Sequence, residues 1–358
     1  MWPYWLMFLV PALAAVSGRA RFVLAHPAGR SRADPTWWCV GFLYSLMIGY
    51  RVEVGGDWFN YFHFLDDVKG LSVPEVLAMS DPGYHFVNWL SLELGGGIFG
   101  VNLICGGIFA GGLVRFCRAL PRPWLAMAVS VPYLVIGVAM GYSRQGVALG
   151  LAMLGLVALM HRSTLRFVVW VVLGATFHKT AVLLLPIAAL AASRNRLLTV
   201  AWVGMVSVAA YGLLLQDSID TLYSGYIDAG YQSEGALIRL LMNAVPAGIL
   251  LLWWKRFRFG AGEASLWRWC SIISMVLLVI LFISPSSTAV DRIALYMLPL
   301  QMVVSSHLSE VFGKPRSRNQ EFVFGVLLYY ATVLFVWLNF ANHSQYWLPY
   351  RFYPLELL

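Results

Sequence analysis

Apolar runs recur along the whole chain, each near the length of about 20 residues that crosses the hydrocarbon core of a bilayer. Short breaks rich in arginine, glycine or proline separate them. Of the 358 residues, 60% are hydrophobic and 12% are charged, whereas a soluble domain carries roughly 25% charged residues. The sequence therefore predicts an all-α polytopic integral membrane protein, and excludes soluble enzyme folds, disulfide scaffolds and disordered chains.

Basic residues concentrate in some of the breaks, and most acidic residues lie in the others. The basic segments are 19–32, 115–122, 162–166, 194–196, 255–268 and 314–318. The positive-inside rule places such segments in the cytoplasm. Both termini are then predicted to lie outside, and the net charge of +8 reflects membrane topology rather than nucleic-acid binding.

Residues 166–193 do not fit a simple alternation of spans, because basic residues flank them at both ends. A single span here would invert every later loop. A hairpin of two short helices, with its apex at Phe177-His178-Lys179, keeps each loop on its favoured side, and we prefer it. Counting both halves, about twelve membrane segments are predicted. The other predicted spans are 2–17, 36–51, 95–114, 124–142, 144–161, 197–215, 237–254, 267–284, 291–309 and 322–341.

Two long loops are predicted outside the membrane, at residues 52–94 and 216–236. The first contains Ser72 and Glu75 at the spacing of a helix capping box, and the stretch 84–94 is predicted to lie along the membrane interface. The sequence shows no internal repeat and no soluble domain, so residues 1–358 are predicted to form a single transmembrane domain.

Six charged or titratable residues break the topology rule, since they lie at outer ends of spans or at the hairpin apex. They are Arg51, Arg144, His178, Lys179, Arg239 and Arg292. A charge in or near the membrane core is costly, so such residues usually have a partner or a function.

Two arginines suit an anionic ligand, because a guanidinium grips phosphate oxygens with two parallel hydrogen bonds. Arg51 is either such a clamp or a structural partner of Glu53 or Asp57. Arg144, followed by Gln145, opens a helix whose free N–H groups also favour a phosphate. Its alternative role is an ion pair with the acidic loop 52–94.

Two residues are candidate bases. His178 is one, because a histidine can act as a base near neutral pH, although Lys179 and other neighbouring cations would lower its pKa; a buried structural histidine is the alternative. Asp57 follows two glycines that permit close approach by a ligand, and is a base, an acceptor for sugar hydroxyls or a plain turn residue. We hypothesise that His178 is the base, with Asp57 as its rival.

Two further arginines have both structural and ligand-binding interpretations. Arg239 follows Glu234 closely, so a salt bridge competes with a ligand contact. Arg292 and Tyr296 are four residues apart and share one helix face.

The sequence contains no nucleotide-binding motif and no spacing typical of metal ligands. No metal and no cofactor are therefore predicted. The residues suggest metal-independent handling of an anionic lipid headgroup at the outer side of the membrane.

Several short motifs resemble the EpsG family of Wzy-like polysaccharide polymerases. They run in order along the chain and are Arg51…Gly55-Gly56-Asp57-Trp58…Tyr61, Asp81-Pro82-Gly83-Tyr84, Arg144-Gln145-Gly146-Val147-Ala148, Phe177-His178-Lys179-Thr180-Ala181, Arg292…Tyr296 and Trp347-Leu348-Pro349-Tyr350. Lys179 departs from the small or hydroxyl residue that is usual after the histidine.

The resemblance implies a GT-C-like glycosyltransferase of the bacterial cytoplasmic (inner) membrane. Its substrate is an undecaprenyl-pyrophosphate-linked oligosaccharide, which is polymerised with release of undecaprenyl pyrophosphate. A flippase and a chain-length regulator are the expected protein partners. The catalytic residues are predicted as His178, Asp57, Arg51 and Arg144, and the substrate-binding residues as Gln145, Lys179, Arg239, Arg292, Tyr61 and Tyr296. A flippase or transporter of such lipids, or an O-antigen ligase, is the alternative.

Overall fold

The computed structural model describes residues 1–18, 34–191, 196–214, 232–314 and 317–356. These residues form a helical bundle with one two-stranded antiparallel sheet, in which β1 (Arg51–Val52) pairs with β2 (Arg351–Phe352). The α-helices are α1 (Trp2–Ser17), α2 (Pro35–Gly49), α3 (Asn60–Asp67), α4 (Val73–Leu77), α5 (Pro82–Glu93), α6 (Gly97–Arg118), α7 (Pro123–Ser130), α8 (Ser143–Met160), α9 (Thr164–Ala175), α10 (Leu185–Ala191), α11 (Arg196–Leu214), α12 (Ala236–Leu252), α13 (Ala261–Ile283), α14 (Ser287–Ala294), α15 (Pro299–Val311), α16 (Gln320–Phe340) and α17 (Tyr353–Glu356). Shorter helical segments are the π-helix Val131–Ala139 and the 3₁₀ turns Lys179–Leu184, Trp254–Arg256, Leu295–Met297 and Ser344–Tyr346.

Local sequence signals explain several helix starts. Asp34 accepts the N–H of Thr36 at 3.1 Å and Pro35 follows it at the first helical position, a favoured combination. The predicted capping box is present, because the Glu75 carboxylate accepts from both the backbone N–H and the hydroxyl of Ser72.

One predicted span is divided. Residues 291–309 lie in two helices, α14 and α15, which the 3₁₀ turn Leu295–Met297 joins. Pro299 accounts for the division, since a proline has no N–H to donate and its ring clashes with the preceding turn of a helix. The break brings the end of α14 close to α8.

The predicted hairpin at residues 166–193 folds back on itself over the part that the structure describes. Ser265 Oγ, near the start of α13, donates to the carbonyl of Leu190 at 3.2 Å. At the same end of α13, Gly262 packs against Arg162. Both ends of the hairpin therefore lie at one end of α13, as a hairpin requires and a single span does not allow.

By length and composition, four helices within the described ranges could cross a membrane. They are α6, α8, α16 and, within α13, residues 262–283. The hairpin helix α9 has 12 residues, about 18 Å at 1.5 Å per residue, and is shorter than the roughly 30 Å hydrocarbon core. The count of about twelve segments stays a prediction.

Helix α8 forms the centre of the bundle and is buried along most of its length. Small residues allow its neighbours to approach closely, as they do in membrane helix pairs. A Cβ added at Gly112 of α6 would come within 2.1 Å of the carbonyl oxygen of Gly150. This packing fixes the position of the first turn of α8, where Ser143, Arg144 and Gln145 lie.

The tail after α16 folds back over one face of the bundle. The hydroxyl of Tyr4 in α1 donates to the carbonyl of Trp347 at 2.7 Å, and the Trp347 indole donates to the carbonyl of Ile136 at 2.9 Å. Most of the predicted loop 216–236 lies outside the described residues, which resume at 232.

Candidate active site

An open cavity of about 880 Å³ lies between α12, α16, the π-helical segment after α7 and the tail after α16. Its charged lining residues are Asp57, Glu234, Arg239, Asp291 and Arg292. Its aromatic lining residues are Tyr133, Tyr142, Tyr329, Trp337, Phe340, Tyr346 and Trp347. Ligand pockets typically measure about 300–1,000 Å³, so the cavity has room for a substantial ligand.

Asp57 lines the cavity after a turn that Gly55 makes possible. Gly55 has a φ of +105°, and a Cβ added there would lie 2.6 Å from the carbonyl oxygen of Met140, so this position requires glycine. The N–H of Gly55 donates to the carbonyl of Tyr346 at 2.8 Å. Across the described ranges, the Asp57 carboxylate has no hydrogen-bond or ion-pair partner, which leaves it available to a ligand.

Arg239 and Asp291 form a closed ion pair in the cavity wall. Arg239 Nε donates to Asp291 Oδ1 at 2.7 Å, and Arg239 Nη2 to Oδ2 at 2.6 Å. Ser233 Oγ donates to the same Oδ2 at 3.0 Å. The predicted alternative of a salt bridge is therefore present, but its partner is Asp291 rather than Glu234, whose backbone carbonyl alone accepts from Arg239.

Arg292 lies at the cavity surface with a charge that no carboxylate neutralises within the described part of the chain. Its guanidinium lies 3.9 Å from the ring centroid of Tyr142, and its Nη1 donates to Gln145 Oε1 at 3.3 Å. Gln145 in turn donates to the backbone carbonyl of Arg292 at 2.7 Å. These contacts orient a cation whose attraction to an anion remains available.

A second group of polar residues lies where the hairpin apex meets the start of α8. We call it the hairpin cluster, and its members are Asp81, Arg144, His178, Lys179, Thr180 and Tyr296. Arg144 Nη1 donates to Asp81 Oδ2 at 3.0 Å, so Arg144 does pair with the loop 52–94. The Arg144 side chain is nevertheless 33% exposed. Burial raises the pKa of the Asp81 carboxyl, and the charges of Arg144 and Lys179 oppose that rise.

His178 is the N-cap of the 3₁₀ turn at the hairpin apex. Its Nδ1 lies 2.6 Å from Thr180 Oγ1, which lies 3.2 Å from the hydroxyl of Tyr296. The charges of Arg144, Lys179 and Arg292 all act on the imidazole. His178 is thus held by a short hydrogen-bond chain in a strongly cationic environment.

Arg51 and Tyr61 are buried at the junction between the loop 52–94 and α8. Arg51 is 0% exposed; it donates to the carbonyls of Ile48 and Val54 and, at 2.8 Å, to Ser143 Oγ. The predicted pairing of Arg51 with Glu53 or Asp57 is therefore absent. Glu53 instead accepts from Arg351. The Tyr61 hydroxyl accepts the N–H of Ser143 at 2.8 Å. Both residues position the first turn of α8.

The structure therefore separates the residues predicted from the sequence. Asp57, Arg239 and Arg292 line the cavity, whereas the lining of the cavity includes none of Arg51, Tyr61, Arg144, Gln145, His178, Lys179 and Tyr296. The reciprocal contact between Gln145 and Arg292 links the cavity to the start of α8, as does Tyr142, which precedes α8 and lines the cavity.

Several residues that organise these groups are not recognisable as such from the sequence. Asp81 and Thr180 lie inside two of the family-like motifs. The backbone of Asp81 has a φ of +53° just before Pro82, a conformation that is uncommon for a residue other than glycine. Asp291 and Ser143 act through partners far away in sequence, which one sequence does not reveal. Within the described ranges, no three His, Cys, Asp or Glu side chains are grouped as metal ligands.

Comparison with known proteins identifies the family. The model of the EpsG family matches residues 36–352, which include both the cavity and the hairpin cluster. No curated protein and no solved structure matches the chain. Because the match covers most of the sequence, the chain belongs to the EpsG family, the family of Wzy-like polysaccharide polymerases.

Proposed function

We propose that this protein polymerises oligosaccharide units linked to undecaprenyl pyrophosphate, at the outer face of the inner membrane. The observation that carries the proposal is the presence, among the described residues, of two unpaired charges of opposite sign in one cavity. Arg292 has no carboxylate partner and Asp57 has no cationic partner in the described ranges, so the cavity offers both a site for an anion and an acceptor for a proton.

The proposed reaction joins one glycan to the next. A hydroxyl oxygen of the acceptor sugar attacks the anomeric carbon of the donor, and a glycosidic C–O bond forms. The bond between that carbon and the pyrophosphate oxygen breaks, and its electron pair leaves with undecaprenyl pyrophosphate. The hydroxyl proton passes to Asp57, because Asp57 is the candidate base that lines the cavity.

The departing pyrophosphate needs stabilisation of its growing negative charge, which is usually the largest catalytic contribution in such reactions. We assign this role to Arg292, which lines the cavity. Arg144 and Lys179 lie outside the lining and add positive charge near Arg292, since the charges of all three act on His178. Gln145 orients Arg292. We propose that the Thr180 hydroxyl donates to His178 Nδ1, so that the imidazole proton lies on Nε2, which can donate to an oxygen. Because cationic side chains can perform this task, we propose transfer without a metal ion, with Arg51 and Tyr61 as positioning residues.

The test is an elongation assay with the purified protein and a lipid-linked repeat unit, read as a ladder of product lengths. A ladder that persists in EDTA and disappears in Asp57→Asn supports the proposal. A ladder that requires a divalent cation would overturn the metal-independent step. Movement of the lipid between leaflets without a ladder would indicate a flippase, and transfer of the glycan to lipid A without a ladder would indicate a ligase.

A further inference from the structure

The entrance of the cavity carries side chains that differ in chemistry from those of its interior. We call the exposed part of its lining the rim: Glu234, Asn342, His343 and Tyr346 are exposed, and Asp57 is partly exposed. Glu234 precedes α12, and the last three follow the end of α16. The rim thus combines two carboxylates, an amide and two aromatic rings, whereas the interior holds Arg292 and the Arg239–Asp291 pair.

The Tyr346 ring is presented to the open side of the cavity. Its side chain is 45% exposed although its residue is fixed at the backbone, where its carbonyl accepts the N–H of Gly55. The His343 ring stacks beside it, with centroids 5.8 Å apart and planes at 28°. His343 therefore covers part of one face of the Tyr346 ring, and the rest of that ring is an exposed surface on a fixed backbone.

Gly56 leaves open space beside this surface. It lines the cavity, and a Cβ added there would meet no atom within 4 Å. Its φ lies outside the left-handed region, unlike that of Gly55. The protein therefore does not need a glycine at position 56 for its own packing, and the space is available to a ligand that approaches the backbone beside Asp57.

We infer that the rim is a subsite for the sugar ring of the acceptor, with Tyr346 as a stacking surface and Asp57 as the acceptor for its hydroxyls. The C–H face of a sugar ring is weakly positive and suits the negative face of an aromatic ring. Asp57 repels a phosphate and accepts hydrogen bonds from hydroxyls, which favours a sugar over a lipid headgroup at this position. The Glu234 carboxylate adds negative charge to the rim, but its Oε2 already accepts from Asn342 Nδ2 at 3.0 Å and lies 3.3 Å from His343 Nε2. This inference rests on the proposed function. It adds that the rim binds the acceptor sugar and not the lipid-linked donor.

The test uses the oligosaccharide released from the lipid-linked repeat unit by mild acid, so that neither lipid nor pyrophosphate contributes to binding. Calorimetric titration should show binding to the wild type. Tyr346→Ala should weaken it about tenfold, equivalent to about 1.4 kcal/mol, and Tyr346→Trp should restore it. Gly56→Leu should have the larger effect and abolish binding, because the leucine side chain fills the open space. Phe62→Ala is the matched control, since Phe62 is 41% exposed and does not line the cavity.

Three outcomes overturn the subsite: no binding to the wild type, unchanged binding in both Tyr346→Ala and Gly56→Leu, or equal loss in Phe62→Ala. Each can occur while the wild type still produces a ladder, in which case the polymerase proposal survives. Conversely, absence of a ladder with rim-dependent binding of the oligosaccharide would refute the polymerase and retain the sugar site.

Discussion

The cavity and the hairpin cluster contain similar side chains but differ in which of them are paired: the cavity holds the Arg239–Asp291 ion pair and, in the described part of the chain, unpaired charges as well. In the hairpin cluster, Arg144 is bound to Asp81 and His178 is bound to Thr180. In the cavity, Asp57 and Arg292 each lack an oppositely charged partner among the described residues. A paired group stabilises the fold around it, whereas an unpaired one retains its interaction for a ligand. This difference is why we place the proton acceptor in the cavity rather than at the hairpin apex.

The largest expected effect concerns that assignment. Asp57→Asn should lower the elongation rate by about 10²–10⁴-fold, the usual contribution of a general base, while the lipid-linked unit still binds. His178→Ala should retain more activity than Asp57→Asn. Rates come from ladders quantified at early times with purified variants.

Asp66→Asn is the control for that experiment, since Asp66 is an exposed residue of the same loop, paired with Lys69. If His178→Ala eliminates elongation and Asp57→Asn does not, the base lies in the hairpin cluster, as the sequence alone suggested.

The next prediction compares the stability of the two ion pairs. Asp291→Ala leaves the largely buried Arg239 without its partner, which typically costs about 3–5 kcal/mol. Asp81→Ala should cost less, because Arg144 is one-third exposed and water can solvate its charge. Thermal unfolding in detergent measures both.

A double variant sharpens this test. Arg239→Met combined with Asp291→Leu should recover much of the loss, because apolar residues often replace a buried pair without penalty. A greater loss for Asp81→Ala than for Asp291→Ala would show that the hairpin cluster, and not the cavity wall, carries the structural pair.

The sequence predicted the membrane class, the helix positions and the broken hairpin, because these depend on local hydropathy and on charges near the helix ends. It also drew attention to Asp57 and Arg292, which line the cavity. It did not predict that Arg51 would be fully buried, since the partner Ser143 is distant in the chain and a guanidinium at the end of a span suits ligand and structural roles equally.

The sequence likewise did not predict that the candidate residues divide between the cavity and the hairpin cluster. Asp57, Arg144 and His178 carry comparable signals in the motifs, but only the fold places the first on the cavity and the other two beside Asp81 and Tyr296. Residues 291–309 are divided into two helices, and this division brings Arg292 to Gln145. Pro299 indicates the break in the sequence, but hydropathy alone does not.

The third prediction compares two arginines. Lysine at position 292 keeps the charge but loses the planar stacking on Tyr142 and the geometry of the contact with Gln145. Arg292→Lys should therefore lose a large part of the roughly 10²–10³-fold that one stabilising donor supplies. Arg144→Lys should lose less, because it retains an ion pair with Asp81. Elongation rates at saturating lipid-linked substrate decide between them, and a larger loss in Arg144→Lys would move the pyrophosphate site to the hairpin cluster.

The smallest effect is expected at Thr180. Valine has nearly the same shape but no hydroxyl, so Thr180→Val removes the hydrogen bond to His178 Nδ1 and the link to Tyr296. One neutral hydrogen bond is worth about 1 kcal/mol, which predicts a loss of about fivefold in elongation rate at saturating substrate. Thr180→Ser keeps the hydroxyl and should behave like the wild type. Because Thr180 acts through His178, the loss should vanish in a His178→Ala background, whereas a loss that persists there would mean that Thr180 acts only on packing and that His178 needs no orienting partner.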